Sequence, residues 1–246
     1  MQHKYGFIHN FFYLLILFFS FSSQGSVVVN GTRVIYSGNE KEVTVKLSNK
    51  GEYPVLVQSW IDDGDQNALP ENINVPFFLT PPINRIEPNK SQTLRISYTG
   101  NKDHLKNEES IYWLNVLEIP PAPKADDSQI ENNLQIAFRT RIKLFYRPEI
   151  INNKVSAAKA AEELTWSISN GELVAYNNSP YFISLISIVL GNENRNDIIE
   201  GDMLYPHQSR KFKLQKGNIS TIEKNITYEY INDWGAINKV NYSLKN

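Results

Sequence analysis

Side chains with catalytic potential are few in this 246-residue chain and stand far apart from one another. Beyond the first 25 residues only two histidines occur, His104 and His207, each in polar sequence without nearby metal-binding partners. The acidic pairs Asp62/Asp63 and Asp126/Asp127 fall in turn or loop sequence, where solvated acids are typical. No G-x-S-x-G, phosphate-loop or G-x-G-x-x-G pattern is present, and there is no cysteine. We therefore expect no catalytic residue, no metal site and no cofactor, and predict that the protein is not an enzyme.

A different chemistry is indicated by residues 128–148, which alternate like a long strand with two faces. Four apolar side chains at even spacing share one side: Ile130, Leu134, Ile136 and Phe138. Further along, three basic side chains share a side: Arg141, Lys143 and Arg147. A strand of this length attracts another chain to its edge unless the edge is buried. On this segment alone, a buried sandwich strand and a strand offered to a partner are both open interpretations.

The elements that must position these side chains read as a β-sandwich, because short alternating segments are separated by turn residues. Candidate strands cover 27–37, 42–48, 54–61, 77–79, 93–98, 111–119 and 134–146. Turns containing Gly, Asn or Pro fall at 37–39, 49–51, 62–65 and 88–89. The pattern predicts about seven strands, which is enough for one immunoglobulin-like unit.

A second domain is predicted after Pro148, because proline cannot continue a strand ladder. Residues 156–163 are rich in alanine and predict a short helix. Further strands are expected at 164–169, 172–176, 183–190, 211–214, 226–231 and 237–242. The expected fold class is all-β, with immunoglobulin-like β-sandwich domains at 26–148 and 149–246 and a binding cleft between them.

The first 25 residues have the features of an export signal: Lys4 precedes an apolar run at 11–19, and small residues follow. This run is too short to cross a bilayer, which takes roughly twenty residues. The mature chain is predicted to begin at Ser26 and to contain no membrane span. The net charge of -1 and the absence of a long run of like charge argue against a nucleic-acid partner.

Six motifs, in order along the chain, resemble those of the PapD-like periplasmic chaperones of the chaperone-usher pathway. They are T-R-V-I-Y at 32–36, T-P-P-I-N-R-I-E-P at 80–88, E-S-I-Y-W-L-N-V-L-E-I-P-P at 109–121, L-Q-I-A-F-R-T-R-I-K-L-F-Y-R-P at 134–148, N-S-P-Y at 178–181 and Y-I-N-D-W-G at 230–235. The resemblance implies a boomerang of two immunoglobulin-like domains.

The resemblance also implies functional residues, by the positions that match the family motifs. Arg33 and Lys143 are expected to hold the C-terminal carboxylate of a pilus subunit, through charge-assisted hydrogen bonds. The alternating face is expected to complete the subunit as a donor strand; its members are Leu134, Ile136 and Phe138, continued by Ile130 and Asn132. Glu109, Arg147 and Asp233 are expected to form a salt-bridge network between the domains.

The implied partners are pilus (fimbrial) subunits and an outer-membrane usher, and the implied location is the periplasm. The free protein is expected to cover the same strand by forming a homo-oligomer. The alternative is a secreted two-domain adhesin or a pilus subunit, and an exported hydrolase is a third choice. A subunit is expected to show one incomplete domain with a donor extension at its N-terminus, whereas this sequence shows two full strand sets with the donor pattern internal.

Overall fold

The computed structural model describes residues 26–100, 107–120, 135–191, 198–214 and 225–244. The predicted export signal at 1–25 therefore lies outside the described residues, as do Ile130, Asn132 and Leu134 of the predicted donor face, His104, and Asp126/Asp127. Within the described part, no helix is long and apolar enough to span a membrane.

The first half of the described chain folds into two packed β-sheets. The strands are β1 (Val27–Val29), β2 (Arg33–Ser37), β3 (Val43–Asn49), β4 (Val55–Asp62), β5 (Phe77–Thr80), β6 (Ile83–Ile86), β7 (Ser91–Tyr98), β8 (Ser110–Ile119) and β9 (Phe138–Arg147). One sheet has the order β1-β3-β7-β5 and the other β2-β9-β8-β4-β6. Alternate apolar side chains of both sheets meet in one core, for example Leu47 and Leu94 from the first sheet and Leu114 and Leu144 from the second.

The N-terminal segment belongs to both sheets of this sandwich. β1 pairs antiparallel with β3, whereas β2 pairs parallel with β9. The prediction of one strand at 27–37 is wrong here, because the chain leaves one sheet and enters the other between Val29 and Arg33. Gly31 in this crossing has a φ of 129°, a conformation that strongly favours glycine. The crossing determines which part of the β9 edge is covered.

β9 is the strand that carries the predicted functional residues. It begins at Phe138 and not at Leu134 as predicted, because its neighbour β8 provides its last partner at Glu118, opposite Phe138. Residues 135–137 are described but lie outside the ladder. On the other side of β9, β2 covers only the rungs from Lys143 to Arg147. The edge from Phe138 to Ile142 has no neighbouring strand on that side within the described part of the chain.

The second half of the chain forms another sandwich after a short 3-10 turn at Glu149–Ile151 and the helix α1 (Lys154–Ala160). The side chain of Asn153 caps α1 by accepting hydrogen bonds from the N–H groups of Val155 and Ser156. The strands are β10 (Thr165–Ser169), β11 (Glu172–Tyr176), β12 (Ile183–Leu190), β13 (Ile198–Glu200), β14 (Met203–Leu204), β15 (Ser209–Lys213), β16 (Asn225–Ile231) and β17 (Ile237–Ser243). They form the sheets β10-β11-β15 and β13-β12-β16-β17, with β14 paired to β12. The fold is thus all-β with two immunoglobulin-like sandwiches, as predicted.

Candidate functional site

Two cations lie side by side where β2 begins. Arg33, the first residue of β2, is the register partner of Lys143 on β9. Burial lowers the pKa of Lys143, and the positive charge of Arg33 lowers it further. Burial also lowers the pKa of Arg33, against the opposing effect of Asp233 and Glu109. Neither cation forms a salt bridge with a residue that the structure describes. Two adjacent, partly desolvated cations without a direct counter-ion form a site for an anion.

Each of these cations is held by a group from the second sandwich. Arg33 donates from Nη1 to the backbone carbonyl of Ile231 at 2.9 Å. Lys143 donates from Nζ to the hydroxyl oxygen of Ser184 at 3.2 Å. Ser184 is buried, with 3% of its surface exposed. The position of both cations therefore depends on how the two sandwiches meet.

Ser184 and Ile231 are not among the site residues predicted from the sequence. The contact of Ile231 uses a backbone oxygen, so no side-chain pattern signals it. Ser184 does leave a weak signal, since it is a polar residue between Ile183 and Leu185 in a strand that is apolar at every position except Ser184 and Ser187. A buried hydroxyl in such a strand requires a hydrogen-bond partner, and here that partner comes from the other sandwich.

Arg33 retains hydrogen-bonding capacity toward a ligand. Its Nε is buried and has no hydrogen-bond partner among the described residues. The guanidinium group also lies over the ring of Phe145, 5.8 Å from the ring centroid. A buried, unpaired donor on a cation is costly and favours a carboxylate that approaches closely enough to accept from it.

The three residues predicted to bridge the domains lie together in the structure. Arg147, the last residue of β9, donates from Nε to Glu109 Oε1 at 2.7 Å. It also donates from Nη1 and Nη2 to the two carboxylate oxygens of Asp233, at 2.8 and 3.0 Å. Glu109 precedes β8, and Asp233 lies between β16 and β17, so the contacts of Arg147 join the first sandwich to the second. The bidentate pair with Asp233 fixes orientation as well as distance.

Further contacts around Arg147 strengthen this connection between the two sandwiches. The second oxygen of Glu109 accepts a hydrogen bond from the N–H of Phe182 at 2.8 Å, which is another contact to the second sandwich. Arg147 also lies over the ring of Tyr181, 5.1 Å from its centroid. Burial raises the pKa of Glu109, although the charge of Arg147 acts against this. Burial acts to lower the pKa of Arg147, but its two carboxylate partners outweigh this effect and raise it.

The described part of the predicted donor face is open to solvent. Ile136 is 56% exposed and Phe138 is 54% exposed, so neither is sealed in the core of its own sandwich. Both lie beside the stretch of the β9 edge that β2 leaves uncovered. Exposed apolar side chains next to unpaired backbone groups are suited to adding a strand from another chain.

The cation pair and the exposed donor face lie on one line along β9. An added strand whose C-terminal carboxylate reaches Arg33 and Lys143 has its earlier residues beside Phe138. Such a strand therefore runs parallel to β9, as β2 does. Its last residue lies in line with the start of β2. The arrangement can therefore bind an extended polypeptide that ends in a free carboxylate at this point.

Asp62 has a different environment from the solvated turn that was predicted for it. Asp62 is not a solvated turn residue but is 1% exposed, and it forms a two-pronged ion pair with Arg141, with distances of 2.5 and 3.1 Å. The ion pair forms because Asp62 is the last residue of β4 and Arg141 faces it across β8. Burial acts to raise the pKa of Asp62, but hydrogen bonds from Arg141, Asn115 and Gly64 hold it below its ordinary value. Arg141 also stacks on Trp113, 4.6 Å from the ring centroid.

His207 is exposed in a turn, in keeping with the polar sequence around it. Among the described residues, no group of three or more His, Cys, Asp or Glu side chains is arranged to hold a metal ion.

Comparison with known proteins gives consistent matches over both sandwiches. Residues 26–152 match the family of pili and flagellar-assembly chaperones, PapD N-terminal domain, and residues 159–242 match the pili assembly chaperone PapD, C-terminal domain. The chain is 42% identical to the probable fimbrial chaperone YadV of Escherichia coli (strain K12), over 89% of each chain. It is 40% identical to the chaperone protein FimB/FhaD of Bordetella pertussis, over 88% of this chain and 87% of that protein.

Solved structures agree with these relatives. The crystal structure of the YadV chaperone matches with a TM-score of 0.74 and 36% identity, over 89% of this chain and 100% of the other. The CupB2 chaperone of Pseudomonas aeruginosa matches with a TM-score of 0.73 and 35% identity, also over 89% of this chain and 100% of that one. These neighbours have the two-domain boomerang fold, and their family consists of non-enzymatic assembly factors, as expected for this protein. The chain belongs to the PapD-like family of pili assembly chaperones.

Proposed function

We propose that this protein is a periplasmic chaperone that binds pilus subunits by donor-strand complementation, prevents their aggregation and delivers them to an outer-membrane usher. The observation that carries the proposal is the position of the Arg33–Lys143 pair at the end of the uncovered β9 edge. A related structure supports it: the SafB chaperone, which is 25% identical with a TM-score of 0.74, is recorded in complex with the SafA pilin of Salmonella enterica.

The two parts of the site have separate roles in this proposal. The cation pair binds the subunit's C-terminal carboxylate, and each charge-assisted hydrogen bond contributes about 1.5–3 kcal/mol. Ile136 and Phe138 enter the subunit's apolar groove, and full burial of each contributes about 1.5–3 kcal/mol before ordering costs. The carboxylate sets the register of the added strand, and the apolar side chains supply much of the affinity. Leu134, Asn132 and Ile130 are proposed to continue this face.

Arg147, Glu109 and Asp233 are proposed to act indirectly, by fixing the angle between the sandwiches. That angle brings Ile231 and Ser184 to the two cations. The free protein is also proposed to pair with a second copy through the same strand edge until a subunit replaces it. Family membership favours this function over that of a secreted adhesin or a pilus component.

Co-expression with a pilus subunit from the same organism, followed by affinity purification of the chaperone, tests the proposal. Arg33→Ala and Lys143→Ala should each abolish co-purification of the subunit, and Phe138→Ala should weaken it. Arg95→Ala is the matched control, since it removes a positive charge from an exposed ion pair in the same sandwich. Circular dichroism establishes that each variant is folded. Undiminished capture by folded Arg33→Ala and Lys143→Ala variants refutes the proposed anchor.

A further inference from the structure

Glu118 occupies the rung at which the β8–β9 ladder ends. Its register partner is Phe138, the first residue of β9. It alternates with Leu117 and shares the inner face of the sheet with the buried Val116. Residues 135–137 come directly before Phe138 in the chain and lie outside the ladder. Glu118 is thus adjacent to the base of the segment that is proposed to enter the subunit.

The carboxylate of Glu118 does not bond to its own sheet. Its Oε2 accepts from the backbone N–H of Val27 at 3.0 Å, and its Oε1 accepts from the hydroxyl of Ser26. Val27 begins β1, which belongs to the opposite sheet through its pairing with β3. Ser26 is itself held there, because its carbonyl oxygen accepts from the N–H of Lys50 at 2.6 Å. One carboxylate therefore bridges the two sheets at the open end of the sandwich.

This bridge lies beside rungs of β9 that are paired on one side only within the described chain. From Phe138 to Ile142, β9 is hydrogen-bonded on the β8 side, and among the residues that the structure describes no strand lies on its other side. The end of a ladder frays unless a further contact holds it. Hydrogen bonds that a carboxylate accepts from a backbone N–H and a hydroxyl are stronger than those between neutral groups. They can hold the end of β8, and with it the first rung of β9.

We propose that Glu118 is a positioning residue for Phe138 of the donor face. Glu118 fixes the end of the β8–β9 ladder by binding the N-terminal residues Ser26 and Val27. The inference rests on the proposed function, since it assigns Glu118 a role in presenting Phe138 to a subunit. A chain that begins at Ser26, as the export-signal prediction has it, carries its α-ammonium group on the residue whose hydroxyl already contacts Glu118. Removal of the predicted leader would then place a positive charge on Ser26.

Hydrogen–deuterium exchange on the free, folded protein tests the inference without a subunit. Glu118→Ala should speed exchange in peptides that cover 138–142 and 27–29, on the order of tenfold for the loss of a charge-assisted hydrogen bond. Glu118→Gln keeps a neutral acceptor oxygen for the Val27 N–H and should restore part of the protection, because the hydrogen bond remains but its charge is lost. Glu42→Ala is the matched control, because it removes a carboxylate from an exposed pair with Arg95 in the same sandwich.

A second measurement connects the effect to function. Glu118→Ala should weaken subunit capture in the co-purification assay, while Glu118→Gln and Glu42→Ala should retain it. Unchanged exchange at 138–142 in Glu118→Ala overturns the proposal, and so does equal acceleration throughout the sandwich, including β3 and β7. Faster local exchange with undiminished capture also overturns the positioning role. If the wild-type protein captures no subunit, the proposed function fails. The hydrogen–deuterium exchange measurement needs no subunit, so it still shows whether Glu118 holds the end of the β8–β9 ladder.

Discussion

Replacing Arg147 by methionine should destabilise the protein strongly, and the reason lies in what the substitution leaves behind. Arg147 has 3% of its side chain exposed and binds both Glu109 and Asp233. Methionine fills much of the same volume but leaves the carboxylate of Glu109, which is 4% exposed, without its cation. Removing one partner of a buried ion pair costs about 3–5 kcal/mol. We expect the free energy of unfolding to fall by that amount.

The assay is urea unfolding followed by far-UV circular dichroism and tryptophan fluorescence, with the denaturant slope compared between variants. Arg95→Met provides the scale for an exposed pair, since the side chains of Arg95 and Glu42 are 60% and 36% exposed. Its cost should stay below about 1 kcal/mol. The double variant Arg147→Met/Glu109→Gln should be more stable than Arg147→Met alone, because it no longer buries an unpaired charge.

Two results refute this reasoning. One is a loss in Arg147→Met no larger than the loss in Arg95→Met. The other is a further loss when Glu109→Gln is added, which means that the carboxylate is not the source of the cost. The same variants in the co-purification assay show whether the angle between the sandwiches matters for capture.

Three further predictions concern the site and its surroundings. Burial and the charge of Arg33 lower the pKa of Lys143, so we expect affinity for a peptide with a free C-terminal carboxylate to fall as the pH rises from 7 toward the ordinary lysine value of about 10.4. Lys143→Arg should remove this pH dependence of affinity in fluorescence anisotropy titrations. If the affinity of Lys143→Arg changes with pH as steeply as that of the wild type, Lys143 is not its source. Ser184→Ala should weaken binding of the same peptide by roughly 2- to 10-fold, since it removes one hydrogen bond to Lys143, and equal affinity contradicts that role. Asp62 has a lowered pKa in the folded state, so its contribution to stability is present above about pH 3.9 and is lost as the pH falls through the pKa of the folded state. Asp62→Asn should therefore make the free energy of unfolding less dependent on pH on the acid side. An equal pH dependence in the wild type and in Asp62→Asn would disprove this.

Much of the fold was predictable because most strands alternate between buried and exposed residues. The predicted strands at 172–176 and 183–190 coincide with β11 and β12. β6 was missed since it is only four residues long and follows directly after Pro81 and Pro82. The break between β1 and β2 has a signal that the prediction overlooked: inward residues are odd-numbered at Val27 and Val29 but even-numbered at Val34 and Tyr36.

The candidate site was predictable only in part, because several of its contacts join residues that are far apart in the sequence. Arg33, Lys143, Glu109, Arg147 and Asp233 were identified through family motifs, and the structure places them in two groups. Composition and spacing alone would not have paired Arg147 with Asp233, which is 86 positions away. The burial of Asp62 depends on Arg141, which lies on the far side of β8, and such long-range partners are not visible in a local turn pattern. Backbone contacts such as that of Ile231 leave no trace in residue types.

The crossing of the N-terminal segment from one sheet to the other gives the site a closed end. β2 takes over the β9 edge at Arg33, directly in line with the uncovered rungs. A guest strand that follows this edge meets the start of β2 at Arg33 and cannot continue along the same line, because β2 occupies the edge from there on. Under the proposed function, the site therefore accepts chain termini and rejects loops or internal segments of similar sequence, which lets it recognise a polypeptide only after its synthesis has finished.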